Sequence, residues 1–511
     1  MAPAKAIFGV PRSIAGRVAV ATATLFGVLT GHSMLETARD ALFLSSLPAS
    51  RLPWVYLFIA GLAVMVARLN RCLTSRASPR ATLSLTLFAA AACTAGFWLW
   101  AGHGEASLYG LYVWTGLIAT IVVVQLWLLV ADAFDPGQAK RAFAVIGAGG
   151  LIGATFGSAL AGTLLRAMGP RDLVLVASAL MALSGVVPAV AWRGRAAPPA
   201  RRSRRPREEP EPERLFAHPY LRRVLLLVAL TQVAVTSADL LFKAAVASLV
   251  PTADLASFLA IVYTALNGLS LVVQLLVASW ALRRFGVSRA LWAMPLLLGA
   301  GALGFAMTAA LVPVLFLKLV DGSLRHSLHR TGIELLYLPL PARLRERHRT
   351  TIEAIGGRGG QAVAALAMLV ALTLGLDLSG LAIVVVAFIV LLLLSVALIK
   401  TRYVDMFRDR LRDGTIETRA SMPALDLHSL EALIAGLSSE EDPVVLSAIE
   451  LLEASGRGNL VPPLILYHPS RAVVIRALDV MSAGSRRDFV PPARGCWARR
   501  TRRCGPQRCA R

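Results

Sequence analysis

Charged residues are scarce in this sequence, making up only 16% of its 511 residues. A soluble protein has about 25%, and the mean hydropathy here is +0.64. The composition therefore excludes an ordinary soluble domain and predicts an all-α polytopic membrane protein. Negatively charged residues are scarcer than positively charged ones, since the chain has 30 Asp and Glu against 53 Lys and Arg. The excess cations follow the loops rather than one face, which indicates basic cytoplasmic loops and no nucleic-acid partner.

Cysteine is also rare, with five in the chain. Cys72 and Cys93 lie in or beside apolar runs and are predicted to be small buried residues. The other three, at 496, 504 and 509, lie in an Arg-rich tail without a paired Cys-x-x-Cys, so no metal site is predicted. No nucleophile–base motif or cofactor fingerprint occurs either. The sequence predicts neither an enzyme nor a bound cofactor.

Long apolar runs are abundant. A bilayer crossing requires about 20 mainly apolar residues, and twelve runs qualify: 15–35, 52–70, 81–101, 107–131, 142–165, 172–192, 222–244, 255–281, 289–311, 312–336, 357–376 and 379–400. Every second connection is rich in arginine and lysine, as in Arg68–Arg80 and Arg343–Arg349, and the alternate connections are poor in them. This alternation predicts that both termini are cytoplasmic.

The longest predicted loop, 193–217, divides the spans into two sets of six. It combines Pro198 and Pro199 with runs of Arg and Glu, so we expect a disordered cytoplasmic linker between bundles at 1–192 and 218–401. This arrangement, with six spans on either side of a central loop, resembles that of the major facilitator superfamily. In span five, glycines 147, 149, 150, 153 and 157 predict a close helix interface. A phosphate loop is the rival interpretation, but it lacks the closing Gly-Lys-Ser/Thr.

The chain changes character after Lys400. A charged connecting segment at 402–425 precedes 426–490, where the apolar pattern of 444–452 returns at 473–481. Helical spacing with a proline near each start resembles short HEAT-type repeats, which would offer a surface to a cytoplasmic protein partner. The Arg- and Cys-rich stretch 491–511 is unlike a capping repeat. Our hypothesis is that the array is truncated or that the reading frame changes there.

Three groups of charges fall inside the predicted spans. Glu36, Arg39 and Asp40 are three and four residues apart, and hence on one helix face. The pattern returns 199 residues later, where Asp239 corresponds to Asp40 and Lys243 follows. A third group on span ten comprises Lys318, Asp321 and Arg325 and continues to Glu334. Each charge in hydrocarbon costs at least about 2.5 kcal/mol, so those retained usually have a function or a partner.

We predict that the substrate contacts Arg39, Asp40, Gln125, Asp239, Lys243, Lys318 and Asp321, with Glu36, Arg325 and Glu334 serving gating or coupling. Three cations favour an anionic substrate such as a phosphate compound, whereas titrating acids favour proton coupling. Alternatives stay open for each group. The first group could also consist of ordinary charges at the membrane interface. The second could be only an ion pair within its own helix, and Gln125 could form an interhelical hydrogen bond instead of contacting the substrate.

Several motifs resemble those of the ATP/ADP translocase family of plastids and intracellular bacteria, especially its bacterial relatives with HEAT repeats. Glu36–Asp40 is similar to the family's first-span Arg-Asp-Thr-Lys-Asp, and Gln125-Leu126-Trp127 to its Glu-Leu-Trp. Asp239 and Lys243 match its Glu-x-x-x-Lys, and 330–337 resembles its Asp-x-x-Lys-Glu-x-x-Tyr. The family uses four charged positions for exchange, and this chain differs at each of them. It has Arg39 where the family has Lys, Gln125 and Asp239 where the family has Glu, and Ile333 where the family has Lys.

The resemblance implies a secondary transporter in the bacterial inner (plasma) membrane that exchanges nucleotides or other anionic phosphorylated metabolites by alternating access. Two alternatives remain at this stage. One is a proton-coupled permease for a non-nucleotide solute. The other is a membrane-anchored interaction scaffold whose function lies in the repeats and whose transport core is vestigial.

Overall fold

The structure is a computed structural model that describes residues 12–76, 78–100, 104–131, 133–134, 136–192, 215–216, 218–337, 340, 342–412, 427–439, 441–454, 457–483 and 489–490. Within these ranges every regular element is a helix. Most of the predicted linker, residues 413–425 of the connecting segment and the tail 491–511 lie outside the described residues.

The first half contributes six long helices: α1 (Arg12–Ser46), α2 (Leu52–Arg76), α3 (Pro79–Trp100), α4 (Glu105–Ala131), α5 (Pro136–Leu164) and α6 (Pro170–Ala191). The second half contributes α7 (Pro219–Leu249), α8 (Leu255–Val272), α9 (Ala278–Thr308), α10 (Leu311–Leu324), α11 (Arg330–Leu336), α12 (Ala342–Thr373) and α13 (Leu378–Arg412). Three shorter helices follow: α14 (Leu427–Gly436), α15 (Asp442–Ala454) and α16 (Arg471–Ala483). Among the described residues, eleven helices are long and apolar enough to cross a membrane, which confirms the predicted fold class.

The tenth predicted span, at 312–336, is present but divided. A wide turn of i→i+5 type, Arg325–His329, separates α10 from α11, so neither piece alone has the length of a crossing. Such turns inside helices are frequent at functional sites. The predicted loop between spans eight and nine is helical instead, with a second wide turn at Val273–Val277 leading directly into α9. Its Ala, Leu and Arg residues are good helix formers and provide no stop signal.

Helix α1 extends beyond its predicted end. The apolar pattern ends at residue 35, but the helix continues to Ser46 and includes Glu36–Phe43. Helix α12 likewise begins at Ala342 rather than at 357. Charges do not have to end a helix at membrane depth when partners neutralise them.

The two halves repeat one packing scheme. Helix α1 packs on α5 and α6, and α7 packs on α12 and α13. The halves meet along α5 with α8 and along α2 with α12, so each contact has a counterpart in the other half. Paired halves of this kind are the framework of alternating-access transporters, which rock one bundle against the other.

Glycines permit the closest of these helix contacts. A Cβ at Gly157 would lie 2.3 Å from the carbonyl oxygen of Thr30, and one at Gly360 would lie 2.6 Å from that of Ala229. Thr30 and Ala229 are themselves 199 residues apart, the same shift that relates Asp40 to Asp239. The glycine-rich stretch of span five is therefore a helix interface, and the matching glycine of α12 has the same task.

Replacing Gly157 with alanine is expected to lower the free energy of unfolding by about 1–3 kcal/mol, because the new methyl group meets backbone rather than a flexible side chain. Gly147→Ala is the matched control on the same helix, since nothing lies within 4 Å of its Cβ position. That change should be neutral or stabilising. SDS titration of the purified variants measures both, and equal stabilities would contradict the assigned contact.

The C-terminal helices α14–α16 share a hydrophobic core of their own that includes Leu433, Val445 and Val473. Helices α14 and α15 also contact α13. The two similar stretches, 444–452 and 473–481, lie in α15 and α16. Their assignment as HEAT repeats stays a prediction.

The expectation that Cys72 and Cys93 are buried is wrong, because both side chains are exposed. An apolar run in a membrane protein has a lipid-facing side as well as a core side, and hydrophobicity does not distinguish the two.

Candidate functional site

Eight charged side chains from both halves form one connected cluster, which we call the charge network. Its members are Glu36, Arg39, Asp40, Asp239, Lys243, Lys318, Asp321 and Arg325. Four cations face four carboxylates, so the formal charges of the network sum to zero. Asp40 and Lys243 each lie six residues before the end of their helix, which places them about 9 Å inside the end of the bundle. We call this end, where α1 and α7 end, the bridged end.

Helix α1 supplies the first part of the network. The Nε of Arg39 donates to Oδ1 of Asp40 at 2.9 Å, and its Nη2 lies 3.3 Å from Oε1 of Glu36. The guanidinium also stacks over the ring of Tyr112 at 4.1 Å from the centroid. Spacings of three and four residues bring these groups to one face. Arg39 and Asp40 are buried and point into the protein rather than toward lipid.

Helices α7 and α10 supply the second part. The Nζ of Lys243 lies 2.8 Å from Oδ2 of Asp239, one helical turn earlier. Lys318 donates to the other oxygen of Asp239 and lies 3.5 Å from Asp321, which Arg325 approaches to 3.4 Å. Arg325 is the first residue of the wide turn after α10. The charges of α10 are thus linked to α7 through Asp239.

Lys243 joins the two parts across the seam between the halves. Its Nζ lies 3.6 Å from Oδ2 of Asp40, and it donates to the hydroxyls of Tyr112 at 2.7 Å and Tyr56 at 2.9 Å. Asp40, Tyr56 and Tyr112 all belong to the first half. A single ammonium group from α7 therefore interacts with three helices of the opposite bundle.

Two tyrosines add a crossed pair of contacts. Tyr56 of α2 donates to Asp239 of α7, and Tyr263 of α8 donates to Asp40 of α1 at 2.5 Å. Asp40 and Asp239 are the residues related by the 199-residue shift, and α2 and α8 are the second helices of their halves. Each half thus supplies a carboxylate and a phenol, and each phenol bonds the carboxylate of the other half. We call Tyr56 and Tyr263 the crossed tyrosines.

Solvent reaches only part of the network. The side chains of Arg39, Asp40, Lys243 and Asp321 are at most 7% exposed, whereas Arg325 is 33% exposed and Glu36 41%. Burial of charge is tolerated here because each group has an oppositely charged partner, and Arg39, Asp40 and Lys243 are hydrogen-bonded as well. The most exposed members of the network are Glu36 and Arg325.

Two predicted site residues lie apart from the charge network. Gln125 is buried within the first half and donates to Oδ1 of Asn70 at 2.7 Å. Glu334 lies beyond the wide turn and pairs with Arg349 at the start of α12. Spacing along span ten placed Glu334 near Arg325, but the wide turn changes the face that follows. Neither residue has a bond to the network among the described contacts, and their roles as substrate or coupling residues stay predictions.

Sequence reasoning missed the three tyrosines, because it considered only charged residues and Gln125. The chain has eight tyrosines, and Tyr56, Tyr112 and Tyr263 each fall inside a predicted span. A buried phenol requires a hydrogen-bond partner, so a tyrosine within an apolar run was the available signal. No group of three His, Cys, Asp or Glu side chains with metal-binding geometry occurs in the part of the chain that the structure describes.

The fold and the site together define a class: a secondary transporter of two helical bundles with a shared polar site between them. Residues 54–323 match the family model of the Major Facilitator Superfamily. The match covers more than half of the chain, and the protein belongs to this superfamily, whose members transport solutes by alternating access. The finding confirms the coarse function, a membrane transporter, and leaves the substrate open.

Solved structures agree with this fold. The POT family transporter PepTSo matches with a TM-score of 0.56 and 15% identity, covering 77% of this chain and 98% of its own. A bacterial metal transporter matches at 0.52 and 14%, with coverages of 75% and 98%. A bacterial homologue of the iron transporter ferroportin in an inward-facing state matches at 0.52 and 15%, with the same coverages. No curated protein matches this sequence. At these identities the similarity supports the fold alone.

Proposed function

We propose that this transporter exchanges anionic phosphorylated metabolites, with nucleotides as the first candidates. The observation that carries the proposal is the convergence of Arg39, Lys243 and Lys318 from α1, α7 and α10 into one buried network. Ammonium and guanidinium groups held at fixed positions are the usual partners of phosphate oxygens. The resemblance to nucleotide exchangers supports the choice of candidates.

Exchange follows from competition within the network. Every network cation is paired with a carboxylate, and Asp40 with Lys243 ties the halves together. An anionic substrate entering past Arg325 would take over cations from Asp321 and Asp239 and thereby weaken the contacts across the seam. A ligand shifts a conformational equilibrium only by its differential affinity for the two states. An empty carrier would therefore stay closed at the bridged end, and transport would need substrate in both directions.

Orientation follows from the loops. The connections rich in arginine lie at the end opposite the bridged end in the predicted topology, which makes the bridged end the outer one. The protein would lie in a bacterial plasma membrane with both termini in the cytoplasm. Helices α14–α16 would then be cytoplasmic and available to a protein partner.

Transport into proteoliposomes tests the proposal. Wild-type protein is expected to take up labelled ADP or ATP when the vesicles are preloaded with unlabelled nucleotide, and not when they are empty. Arg39→Ala and Lys243→Ala should each reduce uptake about tenfold or more, since each removes a charge-assisted contact. Nucleotide uptake no higher in wild type than in these variants would refute nucleotide exchange.

A proton-coupled permease is the second candidate function. One observation favours it: Asp239 accepts bonds from Lys243, Lys318 and Tyr56, so one proton on this carboxylate would remove its charge and weaken all three. Uptake that collapses with the proton gradient and in Asp239→Asn would support this function. Exchange that persists after a protonophore would exclude it.

A further inference from the structure

One cation within a candidate membrane span lies outside the charge network and has no acidic partner among the described residues. Arg358 is located halfway along α12, within the membrane span Arg347–Thr373. Its Nη1 donates to Oε1 of Gln361 at 3.1 Å, and its Nη2 donates to the hydroxyl of Thr120 at 3.1 Å. No carboxylate among the described residues lies within ion-pair distance of this guanidinium.

The contrast with the network is sharp. Each network cation has at least one carboxylate within 3.6 Å. Arg358 uses two of its five N–H donors, both on neutral oxygens. An arginine in a membrane span costs several kcal/mol and is usually paired, or directed into a water-filled space with a function. A structural seam contact would be made more cheaply by a neutral side chain.

The position of Arg358 points to the space between the halves. Thr120 belongs to α4 of the first half, is exposed, and is reached by the guanidinium across the seam. The side of α12 that carries Gly356 and Gly360 packs on α7 instead, since Cβ atoms there would lie 2.9 Å from Val228 and 2.6 Å from Ala229. Arg358 is thus presented to the opposite half from the middle of α12, while the charge network lies nearer the bridged end.

We propose that Arg358 binds a phosphate group of the transported substrate, which displaces the hydroxyl of Thr120. This assignment rests on the proposed anionic, phosphorylated substrate class. A planar guanidinium with three free donors matches two phosphate oxygens at once, and a lysine does not reproduce that fork. Because the cation is uncompensated, the substrate does not have to compete with a protein carboxylate for it. Arg358 therefore favours the binding of phosphorylated solutes over that of their uncharged counterparts.

Ligand-dependent thermal shifts of the purified full chain test this inference. The probes are ADP, glucose 6-phosphate and inorganic phosphate, each with adenosine or glucose as the uncharged counterpart. At least one phosphorylated probe is expected to stabilise the wild type, and the uncharged counterparts are not. Arg358→Gln should weaken the affinity for that phosphorylated probe about 10- to 100-fold. The affinity of Arg358→Lys should lie between those of the wild type and Arg358→Gln.

Two further variants separate binding from structure. Arg222→Gln removes the same charge from an exposed position at the start of α7 and should leave the affinity unchanged. Thr120→Val removes the seam hydrogen bond but keeps the cation, so affinity should stay or rise. If Thr120→Val instead weakens binding as much as Arg358→Gln does, Arg358 is a seam contact and the inference fails.

The remaining outcomes also decide between the proposals. If a phosphorylated probe stabilises the wild type and Arg358→Gln binds it within twofold, the assignment is wrong while the substrate class stands. If none of the phosphorylated probes binds the wild type, the substrate class falls and this assignment with it. If Arg358→Gln fails to fold, Arg358→Lys provides the test. A probe affinity of Arg358→Lys equal to that of the wild type overturns the proposal.

Discussion

Replacing Lys243 with methionine is expected to abolish transport and to lower the free energy of unfolding by about 3–5 kcal/mol. The ammonium group lies 2.8 Å from Asp239 and 3.6 Å from Asp40, and it donates to two tyrosines. Its removal leaves one buried carboxylate charge uncompensated and removes the ion pair between the halves. SDS titration measures stability, and proteoliposome uptake measures transport.

A second substitution separates charge from contact. Lys243→Met with Asp239→Asn restores a neutral network, so a large part of the lost stability should return while transport stays absent. Arg222→Gln, on the exposed surface of the same helix, is the control for a lost cation. If the double variant is no more stable than Lys243→Met, the unpaired charge is not the cause of the instability. If the double variant transports, the ion pair across the seam is dispensable.

Removing the hydroxyls of the crossed tyrosines is expected to open the bridged end. Tyr263→Phe deletes one hydrogen bond to a carboxylate of the other half. Tyr56→Phe deletes one such bond and also the bond that its hydroxyl accepts from Lys243, and both changes leave the ring in place. A hydrogen bond to a charged group contributes about 1.5–3 kcal/mol. Each change should therefore raise the population open at that end about tenfold or more. The double change should raise it further, but not additively, because both hydroxyls belong to one connected network.

Distances between spin labels at Ser46→Cys and Ser248→Cys report this opening, in a background without the native cysteines. Both positions are exposed near the ends of α1 and α7. Tyr109→Phe is the matched control, because its ring packs against Phe43 within the first half and no bond of its hydroxyl crosses the seam among the described contacts. An unchanged distance distribution in the Tyr56→Phe, Tyr263→Phe double variant would mean that the crossed tyrosines do not hold the halves together.

Local spacing was a good guide to pairs within one helix. Lys243 lies one turn after Asp239, and Lys318 three residues before Asp321, so their ion pairs follow from helical geometry alone. The same reasoning failed at Glu334, because the wide turn at Arg325–His329 alters the helical phase before it. Such a turn leaves no trace in an apolar pattern.

Arg358 was overlooked for a related reason. The predicted span began at 357, which made Arg358 look like a charge at the membrane boundary. The helix begins at Ala342, and this places Arg358 at its middle. The arginines from Arg343 to Arg349 lower the hydropathy of the first turns and conceal the true start of the helix from any apolar pattern.

The sequence by itself determined the membrane class, the two sets of spans and the glycine interface of span five. Each of these depends on composition or on spacing along one helix, and hydrocarbon imposes both directly. Only the tertiary structure decided the partners across the seam. Tyr56 with Asp239, and Tyr263 with Asp40, are separated by 183 and 223 residues. Such pairs depend on how one bundle packs against the other, and no local pattern carries that information.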